Sequence, residues 1–503
     1  MKQPWLMGVS LLLMGMGDPW EDASTQDILG YARAVSLDLR GTVPTPEELV
    51  LIENEGDIPE DLLNDWLDSE AFEQQVIEQH RELFWNTLSI NLLNRRRLSR
   101  RDGIYFNSQR SRYHRGIRNT HCGDFEANVN DLNQPLTWIT NEDGSISEGW
   151  VWVTPYWDVN TPIKVCAFDA QLTENSTAEI ACSTEEAHQL SDCGCGSNLN
   201  WCFTTSQENE IERALERDID ERVRHMLQSD GSYIELLFDQ RMYINGASTH
   251  FFRHIAQFNS ASYESPIPIE ALPELDYSDQ NWTEILLSEE HAGVLTSPGW
   301  LLRHQTNRGR ANRFYSAFLC KEFVPPDGGI SGLSGNANPT PNLILREGCA
   351  GCHARLEPWA AYWSRWSEAS MTYQHPDEYP AYLEECAQCN VTNSCSKHCR
   401  DHYLIEQTHP DESPYLGWLN TYAFLTEEKR EHPDFGPTGW VNQAANDHSF
   451  TTCSVQNASH WLLNWDDPNE EALAQWTSNF SAELRYKEMI TLIVRSPEYW
   501  RGE

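Results

Sequence analysis

The sequence predicts a mainly α protein, a multi-helix architecture interrupted by one disulfide-stapled, β-rich insertion. Three observations carry that expectation. Apolar residues recur at helical spacing over much of the chain, whereas residues 121–205 change to alternation around turn residues. The fourteen cysteines concentrate in two groups of six, Cys122 to Cys202 and Cys349 to Cys399, with Cys320 and Cys453 apart. At 503 residues with 20 Trp, 18 Tyr and 17 Phe, the chain has the length and apolar bulk for several packed units and is not a disordered polymer. The expected segments are a leader (1–17), an N-terminal helical domain (18–120), the cysteine-rich β insertion (121–205), a central helical domain (206–325), a segment with the second cysteine group (326–410) and a C-terminal helical domain (411–503).

At the start, Lys2 precedes the apolar run Trp5 to Met16, and Gly15-Met16-Gly17 offers a small-x-small cleavage pattern. This reads as a secretory signal, with no cysteine after it to accept a lipid. The run is too short to cross a bilayer, and no later segment is apolar enough to do so, so no transmembrane span is expected. Ile28 to Arg118 reads as helical. Thr45-Pro46-Glu47-Glu48 combines an N-cap, a proline in the first turn and a capping-box glutamate. Leu62, Leu63, Trp66 and Leu67 form an apolar stripe, as do Phe72, Val76, Ile77, His80, Leu83 and Phe84, which makes His80 a core residue. A basic stretch follows, with Arg95, Arg96, Arg97, Arg100, Arg101, Arg110, Arg112, Arg115 and Arg118. It is read as solvated or paired with the protein's own acids, the sharper alternative being an anion site for a cofactor's carboxylates.

In the insertion, Leu136 to Thr140 and Trp150 to Val153 flank Asp143-Gly144 as a hairpin, and Ile163 to Phe168 forms another strand. Helix resumes near Asn209 and runs towards Tyr243. It returns over Ala292 to Cys320 and closes the chain over Ala472 to Arg501, while Pro325 to Pro341 is a loop.

The charge balance removes several function classes. Lys plus Arg number 36 against 76 Asp plus Glu, a net charge of −40, which repels nucleic-acid phosphates and anionic lipid headgroups. Signatures for zinc proteases, serine hydrolases and phosphate-binding loops are missing from the sequence.

One motif carries chemistry. Cys349-Ala350-Gly351-Cys352-His353 has the Cys-x-x-Cys-His spacing of covalent haem attachment, in which two thiols add to the porphyrin vinyl groups and the next residue offers an imidazole to iron. At this composition the pattern is expected by chance about 0.01 times. Cys349 and Cys352 are therefore the expected thioether positions and His353 the proximal ligand of a single haem c. The alternatives are a disulfide or half of a metal site. Cys386, Cys389, Cys395 and Cys399, with His398 and His402, could form two disulfides or bind a metal; Asn390 after Cys389 rules out a second haem motif. Met371, His375, His304, Met242 and His250 are candidate distal ligands, with Met371 or His375 put first.

Three stretches resemble the planctomycete-type cytochrome c proteins, exported bacterial multidomain proteins of unknown function that carry a Cys-x-x-Cys-His motif. They are Leu37 to Glu48, Glu235-Leu236-Leu237 through Asn245, and His291 to Thr296 followed by Arg310 to Cys320. Trp461-Leu462-Leu463 and Ile493-Val494-Arg495-Ser496 extend the likeness. It implies a mainly helical haem protein, periplasmic, cell-surface or secreted. The run after His353 departs from the family in its aromatic Tyr362, Trp363 and Trp366, which are expected to pack near the haem. The resulting expectation is single-electron transfer with an unidentified redox partner. The alternatives are a haem-dependent oxidase or peroxidase acting on an extracellular substrate, and a surface scaffold or adhesion protein.

Overall fold

The structure is a computed structural model and describes residues 25–88, 97–98, 100–101, 105–106, 120–142, 144–258, 267–323, 340–368, 370–444, 448–463 and 468–500. The expected leader (1–17) and most of the arginine-rich stretch lie outside the described residues. The chain is mainly α, about 52% helix and 10% strand, with a disulfide-stapled β-rich insertion. It forms two compact units, Met1–Val76 with Val494–Glu503, and Ile77–Ile493. No described helix is long and apolar enough to cross a membrane.

In the first unit, α1 (Thr25–Arg40), α2 (Pro46–Glu55) and α3 (Glu60–Leu67) pack through Val35, Leu39, Ile52, Leu63 and Trp66. The expected capping box starts α2: Thr45 Oγ1 accepts the Glu48 N–H, and Glu48 Oε2 accepts the Thr45 N–H at 2.7 Å. The chain's far end completes this unit. Tyr31 donates its hydroxyl to the Val494 carbonyl at 3.0 Å and stacks on Trp500 with ring centroids 4.0 Å apart.

Helix α4 (Glu70–Phe84) places His80 in the core of the second unit, where its Nε2 lies 3.0 Å from the Tyr233 hydroxyl among aromatic rings. The sequence reading carries helix to Arg118, but Arg100–Arg101 (β1) and Tyr105–Phe106 (β2) are strands. Arg100 and Arg101 offer no apolar stripe for a helix to bury, and their strand pairs antiparallel with β2. That sheet runs β1-β2-β6-β5-β3, with β4 also on β5, from β3 (Thr120–Glu126), β4 (Ile139–Thr140), β5 (Ile146–Val153) and β6 (Ile163–Cys166). The β4–β5 hairpin is antiparallel, with Thr140 opposite Ile146, and Gly144 takes the left-handed φ of +80° its turn needs. Disulfides Cys122–Cys166, Cys182–Cys193 and Cys195–Cys202 staple the insertion around a small core of Val151, Val165, Ala167 and Leu199.

The long α5 (Thr205–Gln228) comes next, then α6 (Glu235–Phe238). Tyr243, expected in helix, lies in β7 (Arg241–Ile244), which pairs antiparallel with β8 (Thr283–Leu286) beyond the short α7 (Gly246–His250). The β-prone Met-Tyr-Ile run overrides the helical period there. The expected helix from Ala292 divides into a short 3₁₀ turn, α8 (Pro298–Arg303) and α9 (Asn307–Leu319), because Pro298 and the N-cap Thr306 each begin a new helix. The later helices are α10 (Ala350–Ala360), α11 (Glu384–Thr392), α12 (Lys397–His402), α13 (His432–Ala444), α14 (His448–Leu462), α15 (Glu470–Glu483) and α16 (Tyr486–Val494). Cys320–Cys453 ties α9 to α14.

Fully buried Arg310, on α9, anchors the centre of this unit. Its guanidinium donates to the carbonyls of His304, Leu301, Trp366, Ser367 and Ser370 and to Asn307 Oδ1, at 2.9–3.3 Å. Burial lowers its proton affinity to about 9, still charged at neutral pH. Dipoles solvate the charge in place of water. Arg310→Met should therefore orphan these acceptors and lower unfolding stability by about 3–5 kcal/mol in urea titrations. A loss below about 1 kcal/mol would contradict this role.

On α5, Glu212 is buried, and burial followed by the like charges of Glu208 and Glu216 pushes its carboxyl up to about 7. The folded state therefore binds this proton more tightly than the unfolded chain does, so the group's stabilising contribution falls as pH rises from about 4.5 to about 7. Glu212→Gln should raise Tm at pH 7.5 and leave it nearly unchanged at pH 4.5. An equal shift at both pH values would refute the assignment.

Candidate haem-attachment site

The motif opens a helix. Upstream, Asn342 Oδ1 accepts the Ile344 N–H at 3.0 Å and Arg346 Nε donates to the Thr340 carbonyl at 2.7 Å, which fixes the approach. Gly348 has φ +77°, a left-handed conformation that favours glycine, and it turns the chain into α10. Cys349 is the N-cap of α10, and its carbonyl accepts the His353 N–H at 3.0 Å. Cys349, Cys352 and His353 thus stand at i, i+3 and i+4 on one helical face, all partly exposed. Gly351 between them has nothing within 4 Å of the place a Cβ would occupy, so that side of the turn is open.

Cysteine pairing singles out the same two sulfurs. Among the described residues, six disulfides take up twelve of the fourteen cysteines, and Cys349 and Cys352 are left outside them. In the second group Cys386 bonds Cys399 and Cys389 bonds Cys395, so the metal alternative there loses its thiolates. These staples build a small core with Tyr403, Leu419 and Tyr422 against Ala361, just beyond the end of α10.

The His353 imidazole is held from one side. Its Nδ1–H donates to Glu357 Oε1 at 2.5 Å, one turn along α10, and Arg308 Nε donates to the same oxygen at 2.6 Å from the first turn of α9. A carboxylate acceptor requires the proton on Nδ1, which leaves the Nε2 lone pair for a metal. Two thiols and an oriented imidazole fit the donor set of a c-type haem, with Cys349 and Cys352 as anchors and His353 as proximal ligand.

The aromatic residues after the motif are core residues. Tyr362, Trp363 and Trp366 are at most 2% exposed. The Trp363 indole N–H donates to the Leu295 carbonyl at 3.0 Å, and Tyr362 stacks on His432 with centroids 4.3 Å apart. Half-buried Trp359, against Tyr315 and Trp440, also belongs to α10.

The distal candidates are scattered. His304 and His250 each direct Nε2 at a backbone carbonyl, of Phe84 and Asn200 respectively, at 3.0 Å. Burial first, and then nearby charges, hold them neutral, at about 4 and about 3. Met242 is buried in β7. Met371 is buried beside Ser370, whose carbonyl Arg310 holds, whereas the His375 side chain is 57% exposed beside Asp377. Of the basic stretch, Arg97 pairs with the buried Glu208 at 3.4 Å, which fits the reading of a charge matched within the protein.

The sequence reading missed Glu357, Arg308 and His432. Glu357 carried a usable signal, a carboxylate four residues after His353 on one helix. Arg308 and His432, whose Nδ1 donates to the Pro358 carbonyl at 2.9 Å, reach α10 only through tertiary packing. No family model, curated protein or solved structure matches the chain.

Alkylation of the denatured, unreduced chain made without haem should label Cys349 and Cys352 and no other cysteine. Label elsewhere, or protection of this pair, would contradict the pairing.

Proposed function

We propose that the chain is an exported c-type haem protein, with one haem bound covalently through Cys349 and Cys352 and ligated by His353, that passes single electrons in an extracytoplasmic compartment. The observation that carries this reading is the selective sparing of two thiols. Twelve cysteines are oxidised in pairs, which suits an oxidising compartment, while the pair in the attachment motif is outside every disulfide. Bound there, the haem would supply a one-electron Fe(III)/Fe(II) couple.

The protein's residues divide the remaining work. The left-handed Gly348 turns both thiols onto the first turn of α10. Glu357 keeps the imidazole in one tautomer and one orientation. The partly exposed face of the motif gives a redox partner a short approach, and the net charge of −40 favours a partner with a basic docking surface.

A haem oxidase or peroxidase is the competing reading, supported by that same partial exposure. The spectrum separates the two. Electron transfer predicts a six-coordinate iron that excludes added cyanide, whereas a five-coordinate iron that binds cyanide stoichiometrically would favour the enzyme. In protein matured by a c-type attachment system, Cys349→Ser with Cys352→Ser should abolish denaturation-resistant haem staining. Staining that survives the double substitution would refute the assigned anchors.

A further inference from the structure

The contact on the far side of the proximal imidazole has a consequence for the iron. His353 Nδ1 could have met a backbone carbonyl or water, but it meets a carboxylate at 2.5 Å. Glu357 is one helical turn away on the same face of α10, and only 17% of its side chain is exposed. Arg308 reaches the same Oε1 from α9 at 2.6 Å. The capped start of α9 places that arginine: Thr306 Oγ1 accepts the Gly309 N–H at 2.9 Å.

A full negative charge accepting the Nδ1 proton pushes electron density into the ring and strengthens Nε2 as a donor. That favours the higher charge on a bound metal, and so the ferric over the ferrous state. A cation on the same oxygen withdraws part of that density. We propose that Glu357 is the positioning residue that sets the donor strength of His353, and that Arg308 acts on the iron through Glu357 by tempering its charge. This rests on the haem reading above and adds a directed prediction to it: the two residues move the reduction potential in opposite directions.

The test uses the haem-loaded full chain, with covalent haem per chain measured beside the midpoint potential. Glu357→Gln keeps an oxygen acceptor but removes the charge. It should retain one haem per chain and shift the equilibrium towards ferrous iron at least tenfold, about 59 mV for one electron. Arg308→Ala should shift it towards ferric iron. An arginine acting merely through space would have the same effect in any background, so the double variant is decisive. Arg308→Ala should lose most of its effect when Glu357 is already Gln.

A haem-loaded Glu357→Gln protein with unchanged potential would overturn the proposal and leave haem attachment intact. So would an Arg308→Ala shift that persists undiminished in the double variant. Should Glu357→Gln fail to mature, an unchanged potential in Arg308→Ala alone would overturn it. A wild-type chain that takes up no haem would instead overturn the parent reading.

Discussion

Everything in the site depends on how the sulfurs are distributed. Fourteen cysteines have many ways to pair, and the proposed attachment motif keeps its two thiols only if the other twelve find partners among themselves. The fold arranges this by proximity. Three bridges lie within the β insertion and two within the short α11–α12 block, while Cys320 meets Cys453 from packed helices. Each staple that rigidifies a weakly packed segment also removes a competitor for Cys349 and Cys352.

The same economy is visible around α10. Its C-terminal end passes into the buried Tyr362, Trp363 and Trp366, and the loop beyond Trp366 is held by the Arg310 guanidinium. The partly exposed first turn therefore sits on a helix fixed by a dense aromatic core. Precise placement of a reactive turn needs such a support, because a loosely held helix would let the imidazole leave its partner carboxylate. The buried rings serve that support in the protein core.

Local patterns were legible wherever one segment could satisfy them alone. The capping box at Thr45, the hairpin around Gly144 and the core placement of His80 are of this kind. The insertion's cysteine density gave its staples without their connectivity. Errors arose where distant partners decide. Tyr105 and Phe106 became strand because β6 offered its edge to β2, and Tyr243 became strand because β8 pairs with it. In the site, the three motif residues could be read from spacing. Arg308 could not, since nothing in sequence brings residue 308 to residue 357, and the five residues offered as distal ligands are dispersed through the fold.

Whether the two spared sulfurs carry a porphyrin is decided by intact mass spectrometry of the full chain after maturation by a c-type haem system. A porphyrin there predicts the mass of one covalently added haem, localised by proteolysis to the peptide spanning Cys349 to His353, with the other twelve cysteines oxidised. The mass of the bare chain with a seventh disulfide, between Cys349 and Cys352, would contradict it.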